Sequence, residues 1–368
     1  MMCTLSSLMP EEWFAGGSPI ALIAIVIVTM AVVIKGADWL VEGAAGIAVR
    51  LGMPKVIIGA TIVSLGTTTP ETAVSVLAAF SGNSGLALGN GIGSIIADTG
   101  LIFGLGCVLV ALPADKFVLT RQGWVQIGSA MLLAGLCWVF YAMYGSDAVI
   151  GRPIGVLLLI GLIGYLLISV RWARQHPLGE QHFIELPLNG EPGTVEVDAH
   201  HKVADKSLSA LFGIAVVGLV LIIVAGDGLV GSISELARQW SVPDAVIAGT
   251  IVALGTSLPE LVVGMQSLRK GHAELLVGNV IGADILNVLF VIGASAVAAP
   301  LMVAYDGATN QPTTAIIYIA LPTMIAMLLY FRLCIFKATR DGKFSRWMGW
   351  PLLAGYVAFV VLSYKMGT

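Results

Sequence analysis

Two short phrases of this chain place the same chemistry at the same spacing. Gly66-Thr67-Thr68-Thr69-Pro70-Glu71 and Gly255-Thr256-Ser257-Leu258-Pro259-Glu260 each set two hydroxyls three and four residues ahead of a glutamate. On a helix, residues at those spacings share a face, so hydroxyls and carboxylate gather together. The proline has no N–H, so the carbonyl four residues back, that of Gly66 or Gly255, loses its helical partner. A bare carbonyl in an apolar setting costs roughly 2–7 kcal/mol unless protein, water or an ion satisfies it. Each phrase therefore offers a hard, all-oxygen donor set. It suits Ca²⁺, Na⁺ or Mg²⁺ and suits soft metals poorly.

A second pair follows each phrase at one distance. Asp98 and Asn287 both lie 27 residues after their glutamates. Ser94 stands one turn before Asp98, where the second phrase has Ala283, which offers no ligand. Asp284, three residues before Asn287, answers to Ile95 and is open to two readings, a further cation ligand or a polar helix contact. The candidate metal ligands are Glu71, Glu260, Asp98, Asn287, Thr67, Thr68, Ser94, Thr256 and Ser257, with Gly66 and Gly255 through their carbonyls.

Those residues sit inside long apolar runs. The chain has 368 residues, 57% hydrophobic and 11% charged, with a mean hydropathy of +0.93. A water-soluble chain of this length needs far more polar surface. Ten spans of membrane length are read, at 19–44, 53–80, 85–112, 122–144, 150–172, 207–232, 243–268, 273–300, 313–334 and 347–365. Fifteen Lys and Arg residues fall in alternate loops on one side, among them Arg50, Lys116, Arg174, Lys270 and Arg340. Three, Arg152, Arg238 and Lys365, fall on the other side, and Lys35 lies in the first span. The bias places both termini outside the cytoplasm. The N-terminus is acidic where a signal peptide would be basic. Three of the four cysteines, at 107, 137 and 334, lie in apolar spans and read as buried thiols.

An offset of 189 carries Glu71 to Glu260. It also carries Asp38 to Asp227, Pro54 to Pro243, Asn90 to Asn279 and Gly93 to Gly282, without a gap. This is an internal duplication of five spans each. Five is odd, so the second half must enter the membrane from the opposite side. The expected fold is all-α, ten transmembrane helices in two inverted five-helix repeats, a plan that puts the substrate site near the midplane. The halves are 1–172 and 207–368, joined by a polar cytoplasmic linker over 173–206. An unpaired carboxylate at mid-span is expensive and functional by default. Glycines 89, 91, 93, 278 and 282 are expected to allow close helix approach.

At these residues the chain resembles the calcium/cation antiporter superfamily, in its prokaryotic sodium/calcium exchanger branch. The matching motifs are GTTTPE and GTSLPE, each followed by a GN..G stretch, in register across both repeats. The resemblance implies that Glu71 and Glu260 bind Ca²⁺. It also implies an Asn in the first repeat and an Asp in the second on the following helices. Here the pair is exchanged, as Asp98 and Asn287, with total charge unchanged. The family's second-repeat serine is Ala283, so one Na⁺ ligand is missing.

Charge counting points to exchange by itself. Glu71, Asp98 and Glu260 carry −3 when ionised. Three Na⁺ would neutralise them and one Ca²⁺ would leave −1. In a low dielectric neither an empty site nor full co-occupancy is favourable. The ions then compete at one site, and competition under alternating access is antiport. Protons also neutralise carboxylates, so an exchanger of H⁺ for Ca²⁺ or another divalent cation is the alternative, and a passive cation channel the remote one. No phosphate loop, nucleotide fingerprint or nucleophile beside a base is present, so neither enzyme nor cofactor is expected. The partners are inorganic cations and the lipid bilayer of the inner (plasma) membrane. No nucleic acid is expected, and no oligomer is required. Asp38 and Asp227 lie near span ends, where Lys35 can pair with Asp38. His176, His182, His200 and His201 fall in the polar linker.

Overall fold

The computed structural model describes residues 14–175, 206–240, 257–306, 311–312 and 314–367. The described chain is helical, apart from three two-residue strand pairs. Its helices are α1 (Pro19–Leu51), α2 (Lys55–Thr67), α3 (Thr69–Phe80), α4 (Ser84–Leu109), α5 (Lys116–Tyr144) and α6 (Arg152–Gln175). Then come α7 (Leu208–Gln239), α8 (Leu258–Arg269), α9 (Ala273–Ala298), α10 (Ile316–Asp341) and α11 (Gly349–Gly367).

Seven helices among these residues are long and apolar enough to cross a membrane: α1, α4, α5, α6, α7, α9 and α10. The other expected spans differ in informative ways. The run 53–80 is broken into α2 and α3 at Thr68, two residues before Pro70. The run 243–268 is described only from Ser257 onward. The linker and its histidines lie outside the described residues, except 173–175 and Lys206.

Local chemistry sets the boundaries. The hydroxyl of Ser18 accepts from the N–H of Ala21 at the start of α1, and Gly52 ends that helix in the left-handed region with φ 60°. Asn83 caps α4 in the same way, accepting from the N–H of Leu86. Asp115 caps α5 by accepting from the N–H of Val118.

The duplication extends to element ends. Moved by 189, Thr69–Phe80 becomes Leu258–Arg269, Ser84–Ala97 becomes Ala273–Leu286, and the π-helical turn Asp98–Phe103 becomes Asn287–Ile292. Equivalent helices α1 and α7 run antiparallel. Gly36 meets the backbone of Gly218, and Gly43 meets that of Leu211. Helix α6 packs on α9 where Gly155 meets Gly293, and α11 packs on α4 where Gly349 meets Gly104. Gly104 and Gly293 are themselves 189 apart.

Close approach at α9 is strict. A Cβ on Gly278 would lie 2.0 Å from the carbonyl oxygen of Val56, and one on Gly282 would lie 2.4 Å from that of Ala60. Gly91 is tight against Ile292. A Cβ on Gly89 or Gly93 meets nothing within 4 Å among the described residues, and the segment equivalent to the partners of Gly278 and Gly282, near 245–249, lies outside them.

The main core surrounds α4 and α9, with Ile92, Ile96, Phe103, Val280, Ile281 and Leu286 all buried. Outward faces of α1, α5, α6 and α7 carry exposed Ile, Leu, Val and Trp, the surface expected toward lipid. The short strands tie loops together: Leu112–Pro113 pairs with Lys343–Phe344, and Val149–Ile150 pairs with Leu301–Met302. Cys107, Cys137 and Cys334 are free and buried, as expected.

Candidate functional site: a buried oxygen cluster

Two helix breaks aim the glutamates. Thr68 and Ser257, 189 apart, have nearly equal backbone angles, φ −81° ψ −3° and φ −91° ψ 9°. Each begins a new helix: the N–H of Thr72 donates to the Thr68 carbonyl, and that of Leu261 to the Ser257 carbonyl, both at 3.1 Å. Pro70 and Pro259 occupy early positions, where their missing N–H is harmless. Glu71 and Glu260 therefore stand in the first turn of their helices, at the positive end of the peptide dipoles. The N–H of Thr68 is committed to the Ser64 carbonyl at 2.8 Å. The Gly66 carbonyl faces Pro70, so it gains no helical partner from that position.

The second pair begins the two π-helical turns. Asp98 opens Asp98–Phe103 and Asn287 opens Asn287–Ile292. A π turn widens the helix and re-aims the side chain that starts it, a device common at functional sites. The amide of Asn287 faces Asp98, with Nδ2 3.4 Å from Oδ2.

These four residues are each 1% exposed, and the fold gathers them with their hydroxyl neighbours. Thr68 Oγ1 lies 3.5 Å from Glu260 Oε1, and Ser257 Oγ lies 3.4 Å from Ser94 Oγ. The carboxyls of Glu71 and Glu260 adjoin one another, with Asp98 within electrostatic reach of both. Contacts of 3.4–3.5 Å are long for hydrogen bonds, so they mark groups that face one another without satisfying one another. Consistently, Glu71 Oε2, Asp98 Oδ1, Glu260 Oε2 and Asn287 Oδ1 are buried with no hydrogen-bond partner among the described residues. Buried polar atoms in native proteins are almost always paired, so four orphans in one cluster point to a ligand.

No three His, Cys, Asp or Glu side chains among the described residues form a metal-holding group on their own. A cation here therefore also needs the hydroxyl and amide oxygens. The Thr67 hydroxyl is 3.4 Å from Asn279 Oδ1, and its side chain also lies against the Glu260 carboxyl, as that of Thr68 does. Gly255 and Thr256 lie outside the described residues. Asp38 pairs with Lys35 at 3.8 Å, as expected, and more closely with Lys270 at 3.2 Å, besides accepting from Gln266.

Several polar residues inside the fold take positions that the sequence did not reveal. The Asn90 amide donates to Ser75 Oγ at 2.9 Å and to the Glu71 carbonyl at 3.3 Å, which braces the helix carrying Glu71. Asn279 matches Asn90 in the duplication and carries an Nδ2 with no partner among the described residues. The repeated GN dipeptide was the available signal for both. Asp284 proves to be 2% exposed and held by Thr99 and Gln126. The two glutamines of α5, Gln122 and Gln126, had no signal beyond being amides in an apolar run.

Comparison with known proteins identifies the family. The family described as "Sodium/calcium exchanger protein" matches twice, over residues 21–171 and 210–365, and the two matches start 189 residues apart. The sodium/calcium exchanger MaX1 of Methanosarcina acetivorans is 31% identical over 92% of this chain and 97% of its own length. The putative antiporter CaxA of Alkalimonas amylolytica is 30% identical over 92% and 98%. Solved structures of the sodium-calcium exchanger NCX_Mj superpose with a TM-score of 0.72 at 25% identity, covering 94% of this chain and 99% of that one. The chain belongs to the sodium/calcium exchanger family of membrane cation transporters.

Proposed function

We propose that this protein is a secondary antiporter that exchanges Ca²⁺ for Na⁺ by alternating access at the buried oxygen cluster. The observation that carries the reading is the set of four unpartnered buried oxygens, on Glu71, Asp98, Glu260 and Asn287, drawn equally from two duplicated halves. Glu71 and Glu260 are the central Ca²⁺ ligands. Asp98, Asn287, Thr68, Ser94 and Ser257 complete the site, with Thr67, Thr256 and the carbonyls of Gly66 and Gly255 as further donors. Three carboxylates give −3, which three Na⁺ or one Ca²⁺ can largely offset, but not all four ions together.

The halves 1–172 and 207–368 act as inverted five-span repeats, with the site between them near the midplane. The antiparallel course of α1 and α7 supports inversion, and so do the paired contacts of α6 with α9 and α11 with α4. Loop pairings support ten crossings. Strands at 112–113 and 343–344 share one face, as do those at 149–150 and 301–302, and Arg50 donates to the Lys206 carbonyl. In each case the two partners fall on the same side in the charge-derived topology. Both termini then lie outside the cytoplasm of the inner membrane, and the linker 173–206 lies inside. An impermeant thiol reagent should fail to label a cysteine placed in the linker of intact cells, and labelling from outside would overturn the orientation.

The function is tested with radioactive Ca²⁺ in proteoliposomes. An outward Na⁺ gradient should drive Ca²⁺ uptake and an outward H⁺ gradient should not. Uptake driven only by H⁺ would make the protein a proton exchanger. Rapid Ca²⁺ equilibration without any counter-gradient would make it a channel.

A further inference from the structure

Beside the exchange cluster is a fourth buried carboxylate that the exchange cycle does not use. Asp284 lies on α9, one turn before Asn287, and is 2% exposed. Its Oδ2 accepts two short hydrogen bonds, from Thr99 Oγ1 and from Gln126 Nε2, both 2.6 Å. Its Oδ1 is buried and has no partner among the described residues. No described Lys, Arg or His forms an ion pair with it. The two donors are neutral. They orient the carboxylate without cancelling its charge, and an uncompensated charge in a membrane interior is strongly unfavourable.

A second observation points to what offsets it. Gln122 sits one turn before Gln126 on the same buried face of α5. It is 0% exposed, and neither its Nε2 nor its Oε1 has a hydrogen-bond partner among the described residues. A buried primary amide with both ends unpaired is rare in a folded protein. Asp284 is thus met by the π turn of α4 through Thr99 and by α5 through Gln126, and Gln122 adds a buried amide oxygen one turn along α5 from Gln126.

We propose that Asp284, Thr99, Gln126 and Gln122 form a second cation site, distinct from the Ca²⁺ site and selective for a monovalent ion of the Na⁺ class. The donor chemistry decides the class. One carboxylate supplies a single negative charge, and the rest are neutral oxygens, so a monovalent cation is neutralised where Ca²⁺ would keep a net positive charge. All the donors are hard oxygens, which excludes soft metals. With this ion bound, the four carboxylates of the region hold a Ca²⁺ and a Na⁺ together and keep one net negative charge. The site goes beyond the proposed exchange reaction, since its ion need not cross the membrane with each turnover.

The test is equilibrium binding of radioactive Na⁺ to the purified full chain in detergent, with Ca²⁺ saturating. The wild type should retain one Na⁺ per chain that Ca²⁺ does not displace. Asp284→Asn keeps the shape and removes the charge, and should lose that Na⁺ while still binding Ca²⁺. Gln122→Leu leaves Asp284 in place and should weaken the retained Na⁺ several-fold. It carries the test if Asp284→Asn does not elute as a single folded species. Glu71→Gln should lose Ca²⁺ and keep the Asp284-dependent Na⁺, so failure of the exchange site and failure of this one are read separately. Absence of Ca²⁺-resistant Na⁺ in the wild type would overturn the proposal, including the case in which Asp284 holds only a proton. Retained Na⁺ unchanged in both variants would overturn it equally.

Discussion

Asp98 and Asn287 open matching π turns 189 residues apart and face each other across the site, yet one carries a charge and the other an amide. Nearby the imbalance runs the other way. The first half has Ser94 and Ile95, and the second has Ala283 and Asp284. The backbone is duplicated closely, while the charges are dealt unequally between the halves. This difference teaches that the helix breaks and π turns build the geometry of the site. Side-chain identity can then move within that geometry, provided the sum of charges suits the ions. Asp284 extends the point, because a carboxylate with no counterpart has acquired its own donors from a neighbouring helix.

The strongest way to break the comparison is to remove the two charges that the halves do share. Glu71→Gln and Glu260→Gln keep volume and remove one charge each. Both should abolish Ca²⁺ transport, and to the same degree, while the proteins still elute as folded species. Normal uptake by either in proteoliposomes would take that carboxylate out of the site. A large difference between them would mean that the halves are not equivalent at their best-matched position.

Packing offers the next contrast. Gly278→Ala drives a Cβ into the Val56 carbonyl, so backbone must move. Overpacking of this kind costs about 1–3 kcal/mol, which thermal unfolding in detergent should register as a clear fall in midpoint. Gly89 is its counterpart in the first half, and Val56 answers to Ala245, outside the described residues. If the halves pack alike, Gly89→Ala should destabilise to a similar extent. If Gly89→Ala is neutral or slightly stabilising, as alanine is in an open helix, the duplication does not extend to this contact.

The same asymmetry governs how much could be read in advance. Glu71 and Glu260 were legible because a proline marks each break and the phrase occurs twice. The helix break at Thr68 follows from the bond that Pro70 cannot make. Close contact at Gly278 and Gly282 was legible as small residues in apolar runs. The partners of Asp284 were not. Thr99 and Gln126 come from two segments distant from it in sequence, and only folding brings them to one carboxylate. The partners of Asp38 were half legible: Lys35, three residues away, was in view, whereas Lys270 is 232 residues away and was not. Short-range spacing reports what shares a helix face, and it is silent on which faces meet.

Exchanging the unequal pair sharpens the comparison at intermediate cost. Asp98→Asn takes the exchange cluster from −3 to −2, and Ca²⁺ affinity should fall. Asn287→Asp takes it to −4, so transport should come to depend more on pH, because an added carboxylate in contact with others can be relieved by a proton. The double variant restores −3 with the charge on the opposite half and should recover much of the flux. A double-mutant cycle on Ca²⁺ affinity should give a coupling of about 0.5–3 kcal/mol for residues that share a ligand. Strict additivity would mean that the two do not serve one ion.

The smallest expected effect comes from Ala283→Ser, which gives the second half the hydroxyl that the first half has. Ser94 Oγ faces Ser257 Oγ at 3.4 Å. By the 189-residue duplication, a hydroxyl at 283 should face position 68, where Thr68 Oγ1 already lies 3.5 Å from Glu260. Ala283 is fully buried, so the new hydroxyl must find a partner or cost about 1–3 kcal/mol in stability. Thr68 can provide that partner, and an ion can provide another. The variant should therefore fold with little loss and bind Na⁺ a few-fold more tightly in the exchange site, read as a lower Na⁺ concentration for half-maximal Ca²⁺ efflux. The Ca²⁺-resistant Na⁺ assigned to Asp284 should not change, since its donors lie on α5 and the π turn of α4. A destabilised protein with an unaltered Na⁺ dependence would mean that position 283 faces packing instead of ions. The two halves would then differ in geometry at this turn, as well as in charge.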